Sequence, residues 1–142
     1  MKSIKEILQE RPLLTAKLGD SIRKVVNYMA EKNIGLVPVL APDGKLEGVF
    51  SERDLVRRVI TREMDLDETK VEDVMTKDLI LADKSETYES CLKKMKDAGI
   101  RHIIVIEENK LLGILSMRDL LEIDIVTKKE TIEVLHNYIY ST

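Results

Sequence analysis

The sequence predicts an α+β fold in which one β-α-β-β-α unit is written twice in tandem. Three observations predict it. The turn Gly-x-x-Ser-x-Arg-Asp occurs twice, at Gly48–Asp54 and Gly113–Asp119. Apolar residues at helical spacing occur at matching places in both halves. Paired apolar strands flank a turn just before each copy of the motif.

The repeat is read outward from its motif. Gly48-Val49-Phe50-Ser51-Glu52-Arg53-Asp54-Leu55 aligns with Gly113-Ile114-Leu115-Ser116-Met117-Arg118-Asp119-Leu120, identical at five positions. Toward the N-terminus the match continues through Lys45-Leu46 and Lys110-Leu111. It then shifts by one residue where Asp43-Gly44 gives way to Glu108-Asn109. A one-residue change is cheap in a turn and costly inside a strand, where it flips every side chain to the other face. Beyond the turn Met29 aligns with Met95, Ile34 with Ile100 and Val39 with Val105.

Each copy opens with a short strand, around Leu13–Thr15 and Leu79–Leu81. Asp20 and Ser85 are the expected helix starts. Ile22, Val25, Val26 and Met29 make one apolar face, and Tyr88, Cys91, Leu92 and Met95 make its equivalent. Strands Leu36–Leu40 and Leu46–Phe50 flank Pro42-Asp43-Gly44; His102–Ile106 and Lys110–Leu115 flank Glu108-Asn109. A last helix begins at Ser51 and again at Ser116. Short helical segments, Ile4–Leu8 and Val71–Met75, precede the two copies, and the polar stretch Thr61–Lys70 links them. Residues 1–68 form the first repeat with its N-terminal helical segment, 69–127 the second, and 128–142 a helical tail. The tail carries Ile132, Leu135 and Ile139 at helical spacing and is expected as a closing helix. A unit of about 60 residues is marginal alone. The two copies are therefore expected to pack sheet to sheet about a pseudo-twofold axis, with two related clefts.

Composition narrows the function. Of the 142 residues 44% are hydrophobic and 35% charged, with a net charge of −3, which fits a soluble globular chain. The sequence has no Trp and no basic stripe interleaved with aromatics, so nucleic-acid binding is not expected. No apolar run approaches the roughly 18–20 residues that span a bilayer, and the first residues do not read as a secretory signal. No membrane association is expected, and a cytoplasmic location is the default. A single cysteine, Cys91, rules out an intrachain disulfide and leaves too few ligands for a familiar structural zinc site. Cys91 reads as a core residue and His136 as a solvated one. No catalytic order of nucleophile and base appears, and no metal site.

The repeated turn is the main candidate site. Gly48 and Gly113 interrupt apolar strands, where glycine is unfavourable unless something approaches the backbone closely. Ser51 and Ser116 start helices, whose free N–H groups suit an anion. Asp54 and Asp119 can accept hydrogen bonds from two ribose hydroxyls, and Arg53 and Arg118 can meet phosphate. Ser-x-x-Asp is equally a helix-capping pattern, and duplicated structure needs duplicated caps. On residue chemistry alone capping ranks first. Arg101-His102 at a strand entry is a second candidate for phosphate, against an exposed strand start. Copy one has Gly35-Leu36 there.

With these residues in place, the chain resembles the CBS domain pair, or Bateman module, over residues 1–127. The likeness rests on Gly48–Asp54, Gly113–Asp119 and Ile100-Arg101-His102-Ile103-Ile104-Val105, and the whole chain looks like the small stand-alone CBS-pair proteins. The resemblance implies a non-catalytic regulatory module that binds adenosine-containing ligands in the inter-repeat clefts and signals by conformational change. AMP is the first choice, then ATP or ADP, NAD and S-adenosylmethionine; no cofactor is required. By family pattern Asp54 and Asp119 meet ribose, and Ser51 and Ser116 ribose or phosphate. Thr15-Ala16 and Leu81-Ala82 meet the base, and Arg101 and His102 phosphate. A homodimer acting on a separate regulated protein is implied too. The departure at Gly35-Leu36 makes two unequal sites the expectation. The rival expectations are an interaction scaffold without a nucleotide and, third, a nucleotide-processing enzyme.

Overall fold

A computed structural model describes residues 4–9 and 11–140. It divides into two compact units. The first gathers Leu13–Leu79 with Glu108–Leu111. The second gathers the N-terminal segment through Pro12, Ile80–Glu107, and the chain from Leu112 onward. Each is built on a three-stranded mixed sheet.

In the first unit β1 (Ala16–Lys17) runs parallel to β2 (Leu36–Leu40), which pairs antiparallel with β3 (Leu46–Ser51). Between β1 and β2 lies α2 (Ile22–Lys32), counting the N-terminal helix Ile4–Gln9 as α1. The Ser21 hydroxyl accepts from the Lys24 N–H at its start, and Asn33 ends it at φ 55°. Its buried residues Ile22, Val25 and Met29 meet Val37, Val39 and Phe50 in the core. The second unit repeats the plan with β4 (Leu81–Asp83), α5 (Tyr88–Ala98), β5 (His102–Glu107) and β6 (Lys110–Ser116). Thr87 caps α5, and Gly99 ends it in the left-handed region. Cys91, Leu92 and Met95 pack with Ile103, Val105, Leu115 and Leu120. Burial pushes the Cys91 thiol pKa up, which suits a core residue and not a nucleophile.

Several local expectations shift. The first strands form later than the apolar runs Leu13–Thr15 and Leu79–Leu81, starting three residues on at Ala16 and two residues on at Leu81, because their pairing partners on β2 and β5 set the register. Asp20 and Ser85 are not the helix caps. Asp20 accepts from the Lys17 N–H at 2.9 Å, and Ser85 donates its hydroxyl to Asp83 at 2.7 Å; both close the turn ahead of the helix. The stretch Thr61–Lys70 is docked, not a loose link. Its Thr69 is buried, and the carbonyls of Thr69 and Leu66 each accept from the start of α2 at 3.0 Å, at Ile22 and Arg23.

The motif helices differ. In copy one a single turn, α3 (Glu52–Asp54), widens into a π-type helix over Leu55–Ile60. In copy two α6 runs from Met117 to Tyr140, a span of about 36 Å at 1.5 Å per residue. The tail is thus the continuation of the motif helix and not a separate closing element. Ile132, Leu135 and Ile139 are all exposed; the last buried residue of α6 is Ile123. Ser141 and Thr142, the end of the expected tail, lie outside the described residues.

The two preceding helical segments go where chain order does not suggest. α4 (Val71–Val74) joins the core of the first unit through Val71, Val74 and Met75. α1, which precedes the first repeat in sequence, puts Leu8 into the core of the second. The two compact units thus do not follow the order of the chain.

Candidate functional site

Both motif turns are reciprocal caps. The Ser51 hydroxyl accepts from the Asp54 N–H at 3.2 Å, while the Asp54 carboxylate accepts from the Ser51 N–H at 3.0 Å. In copy two the Asp119 N–H reaches the Ser116 hydroxyl at 3.1 Å, and the Ser116 N–H reaches Asp119 at 2.7 Å. The capping expected from Ser-x-x-Asp is present in both, and it buries both aspartates almost fully.

The carboxylates differ in their remaining partners. Asp54 Oδ1 accepts from the Thr76 hydroxyl at 3.0 Å, with Arg58 Nε farther off at 3.7 Å. Asp119 faces Arg11, whose two terminal nitrogens reach Oδ2 at 2.7 Å and Oδ1 at 2.6 Å. Burial alone would raise the pKa of Asp119. The Arg11 hydrogen bonds, the Ser116 N–H and hydroxyl and the Arg11 charge together outweigh it and hold the group at about 2.

That depression has a sign. A carboxyl whose folded pKa lies below its unfolded value of 3.8 adds stability above pH 4, and loses it as the pH falls toward 2. With Arg11 half-exposed, the contribution is about 1–2 kcal/mol at neutral pH. Urea unfolding of the wild type and of Arg11→Met is expected to show that gap at pH 7 and its closure between pH 4 and 2. A gap independent of pH would refute the account.

The glycines have an internal cause. A Cβ on Gly48 would stand 2.8 Å from both Met75 Sδ and the Thr76 carbonyl oxygen, and one on Gly113 would stand 2.7 Å from Leu8 Cδ2. The close neighbour is the helical segment that precedes each repeat. Val49 and Thr76 exchange backbone hydrogen bonds at 2.9 and 2.8 Å, locking that approach.

The other sequence candidates fall around these turns. Arg101 and His102 are exposed, and the Arg101 carbonyl accepts from the Met117 N–H at 2.7 Å, directly after Ser116. Both therefore stand beside the Ser116–Asp119 turn of their own unit. In copy one Gly35 takes the same place, its carbonyl accepting from the Glu52 N–H at 3.0 Å. The Glu52 carboxyl group sits 3.4 Å from where a Gly35 Cβ would be. One turn thus has a cationic neighbour and the other an anionic one. Ala16 pairs with Val39, which pairs with Gly48, so Ala16 lies about 10 Å across the sheet from the glycine of the first motif, and Ser51 is three residues farther along β3. Leu81 and Ala82 hold the same strand position in the second unit, opposite Ile104 and Val105. Arg53 is exposed, and so is Arg118, whose Nε stands 3.5 Å from Glu122 Oε1.

Arg11, Thr76, Arg58 and Glu52 were not singled out from the sequence. Thr76 and Arg11 follow the two pre-repeat helical segments, and that matching position was the available signal. Among the described residues no group of three or more His, Cys, Asp or Glu side chains is placed to hold a metal. No helix among them is long and apolar enough to cross a membrane.

Two mixed three-stranded units, each ending in a capped Ser-x-Arg-Asp turn, define a tandem-repeat module, and the chain belongs to the CBS-domain family. The family model matches residues 4–61 and 71–135. CBS domain-containing protein YhcV of Bacillus subtilis is 27% identical over 120 residues, 84% of each chain. The crystal structure of the CBS-domain protein ATU1752 from Agrobacterium tumefaciens is 28% identical, with a TM-score of 0.73 over 87% of this chain and 99% of that one. The CBS domain protein PAE2072 from Pyrobaculum aerophilum, complexed with AMP, is 28% identical, with a TM-score of 0.68 over 83% and 89% of the two chains. The chain spans 59% of a Methanopyrus kandleri relative at 29% identity and 42% of a Methanocaldococcus jannaschii relative at 27%.

Proposed function

We propose that the protein is a non-catalytic regulatory module that binds an adenosine-containing ligand, AMP before ATP or ADP, NAD and S-adenosylmethionine, and signals through the change that binding causes. The observation that carries the reading is the grouping, beside one turn, of a carboxylate suited to a ribose diol and the exposed pair Arg101-His102 suited to phosphate. The AMP complex of a relative supports the choice of ligand. The two turns are unequal sites. Glu52 disfavours phosphate at the first, while Arg101 and His102 favour it at the second.

The protein acts as a homodimer on a separate partner. Just past its motif each repeat exposes an apolar pair one helical turn apart, Val56 and Ile60 in copy one and Leu121 and Ile125 in copy two. Sedimentation at micromolar concentration is expected to give twice the chain mass.

Titration calorimetry of the purified chain with AMP, ADP, ATP, NAD and S-adenosylmethionine tests the ligand. AMP is expected to give the strongest heat. Silence from all five would support the second reading, an interaction scaffold, which the complete capping boxes favour because they account for both motifs without a ligand. Arg101→Ala is expected to weaken AMP about tenfold and leave adenosine unchanged, since only the phosphate contact is lost. Equal losses for both would exclude a phosphate role.

A further inference from the structure

Arg11 occupies the atoms that a ligand would need. Its guanidinium makes a two-pronged contact with Asp119, covering Oδ2 at 2.7 Å and Oδ1 at 2.6 Å. Oδ2 already accepts from the Ser116 N–H at 2.7 Å. A ribose diol binds a carboxylate through the same two oxygens, donating one hydroxyl to each. Two bidentate donors, guanidinium and diol, cannot hold one carboxylate in the same plane.

Among the described residues no guanidinium makes such a two-pronged contact with Asp54 in the first unit. Asp54 is held by a neutral hydroxyl, Thr76, which has a rotatable proton and can turn aside for another donor. Its nearest guanidinium, on Arg58, stands at 3.7 Å and gives hydrogen bonds instead to the Met75 and Val74 carbonyls at 2.9 and 3.4 Å.

We propose that Arg11 is a latch on the second turn: it competes with the ribose diol for Asp119, so that a ligand binds there only as Arg11 lets go. The proposal rests on the adenosine-binding reading of these turns. The mechanics are local. The Arg11 side chain is 44% exposed, so it can swing into water without opening the core. The segment behind it is anchored. Leu8 is buried against Gly113, and the Arg11 N–H donates to the Leu8 carbonyl at 3.3 Å. Release therefore moves the side chain first. It frees a cation at the N-terminal edge of the unit, where a partner can read whether the turn is filled. The apparent affinity of the second turn is lowered by the fraction of molecules in which Arg11 holds Asp119.

Adenosine is the probe, because it carries the diol and no phosphate that could attract a freed Arg11. Its binding is measured by calorimetry in the full chain carrying Asp54→Ala, so that only the second turn reports, with and without Arg11→Met. Methionine keeps an apolar stem and removes the fork. Arg11→Met is expected to tighten adenosine about fivefold, the scale of a half-exposed ion pair. Unchanged or weaker adenosine binding overturns the latch. As a check that does not need Asp54→Ala to fold, the Arg11 guanidinium signals of the otherwise wild-type chain are followed by NMR. They are expected to shift on adding adenosine and not to shift in Asp119→Ala; a shift in both overturns the latch. If the wild type and the Asp119→Ala chain, whose first turn is intact, both fail to bind adenosine, the ligand reading itself has failed and the latch falls with it. Adenosine binding that persists at the first turn while Arg11→Met changes nothing at the second refutes the latch alone.

Discussion

Asp119→Ala is expected to cut AMP binding at the second turn at least about a hundredfold. A buried carboxylate that accepts from both ribose hydroxyls makes two charge-assisted hydrogen bonds, each worth about 1.5–3 kcal/mol when one partner is ionised. Losing both removes about 3 kcal/mol or more, which is two decades in affinity. The carboxylate is well suited to that role: it stays ionised across the physiological range, and Ser116 fixes its orientation from the backbone. The substitution also removes the cap and the Arg11 pair, so the variant loses about 1–2 kcal/mol of folding stability as well. Calorimetry well below the melting temperature separates the two effects. A folded Asp119→Ala protein that binds AMP within threefold of wild type would show that the motif is only a cap. The first turn gives an internal comparison: Asp54→Ala should leave the Asp119-dependent phase untouched.

The doubled unit was legible because its signals are local and redundant. Val25 and Met29 correspond to Cys91 and Met95 at the same four-residue spacing, and each pair lies in a core. A helical period read twice at corresponding places rests on more than either copy. What stayed hidden depends on distance in space. Thr69 reads as part of a polar link, yet its carbonyl caps α2 from 47 residues downstream of Ile22 in the chain. Leu8 and Leu13 look alike in sequence; Leu8 is buried in the second unit and Leu13 is exposed. No periodicity tells an N-terminal helix to pass over the adjacent repeat. The tail shows the opposite failure. Ile132, Leu135 and Ile139 keep a helical period, and a helix forms, but nothing among the described residues covers them.

The candidate site was legible to the same extent. Ser51, Asp54, Ser116 and Asp119 are named by the repeat itself. The charge contrast between the turns was half visible, as Gly35-Leu36 against Arg101-His102; Glu52, which completes it, looks in sequence like any exposed first-turn acid. Arg11 was invisible, because its value lies in a partner 108 positions away.

The glycines carry the second large effect, and there the two copies should separate. Gly48→Ala is expected to destabilise the protein by about 2–3 kcal/mol, and Gly113→Ala by about 1 kcal/mol. Each new methyl would stand closer than 3 Å to an occupied neighbour. At Gly113 that neighbour is the terminal methyl of Leu8, which can change rotamer and give way. At Gly48 half of the obstruction is the Thr76 carbonyl oxygen, fixed by its backbone pairing with Val49, so the strand or the α4 segment must move. The movement reaches the site, because Thr76 also donates its hydroxyl to Asp54. Gly48→Ala should therefore weaken ligand binding at the first turn as well as stability, whereas Gly113→Ala should leave the first turn alone. Urea unfolding read beside calorimetry checks both halves. Equal destabilisation by the two substitutions would mean that the backbone contact at Thr76 is not what demands a glycine.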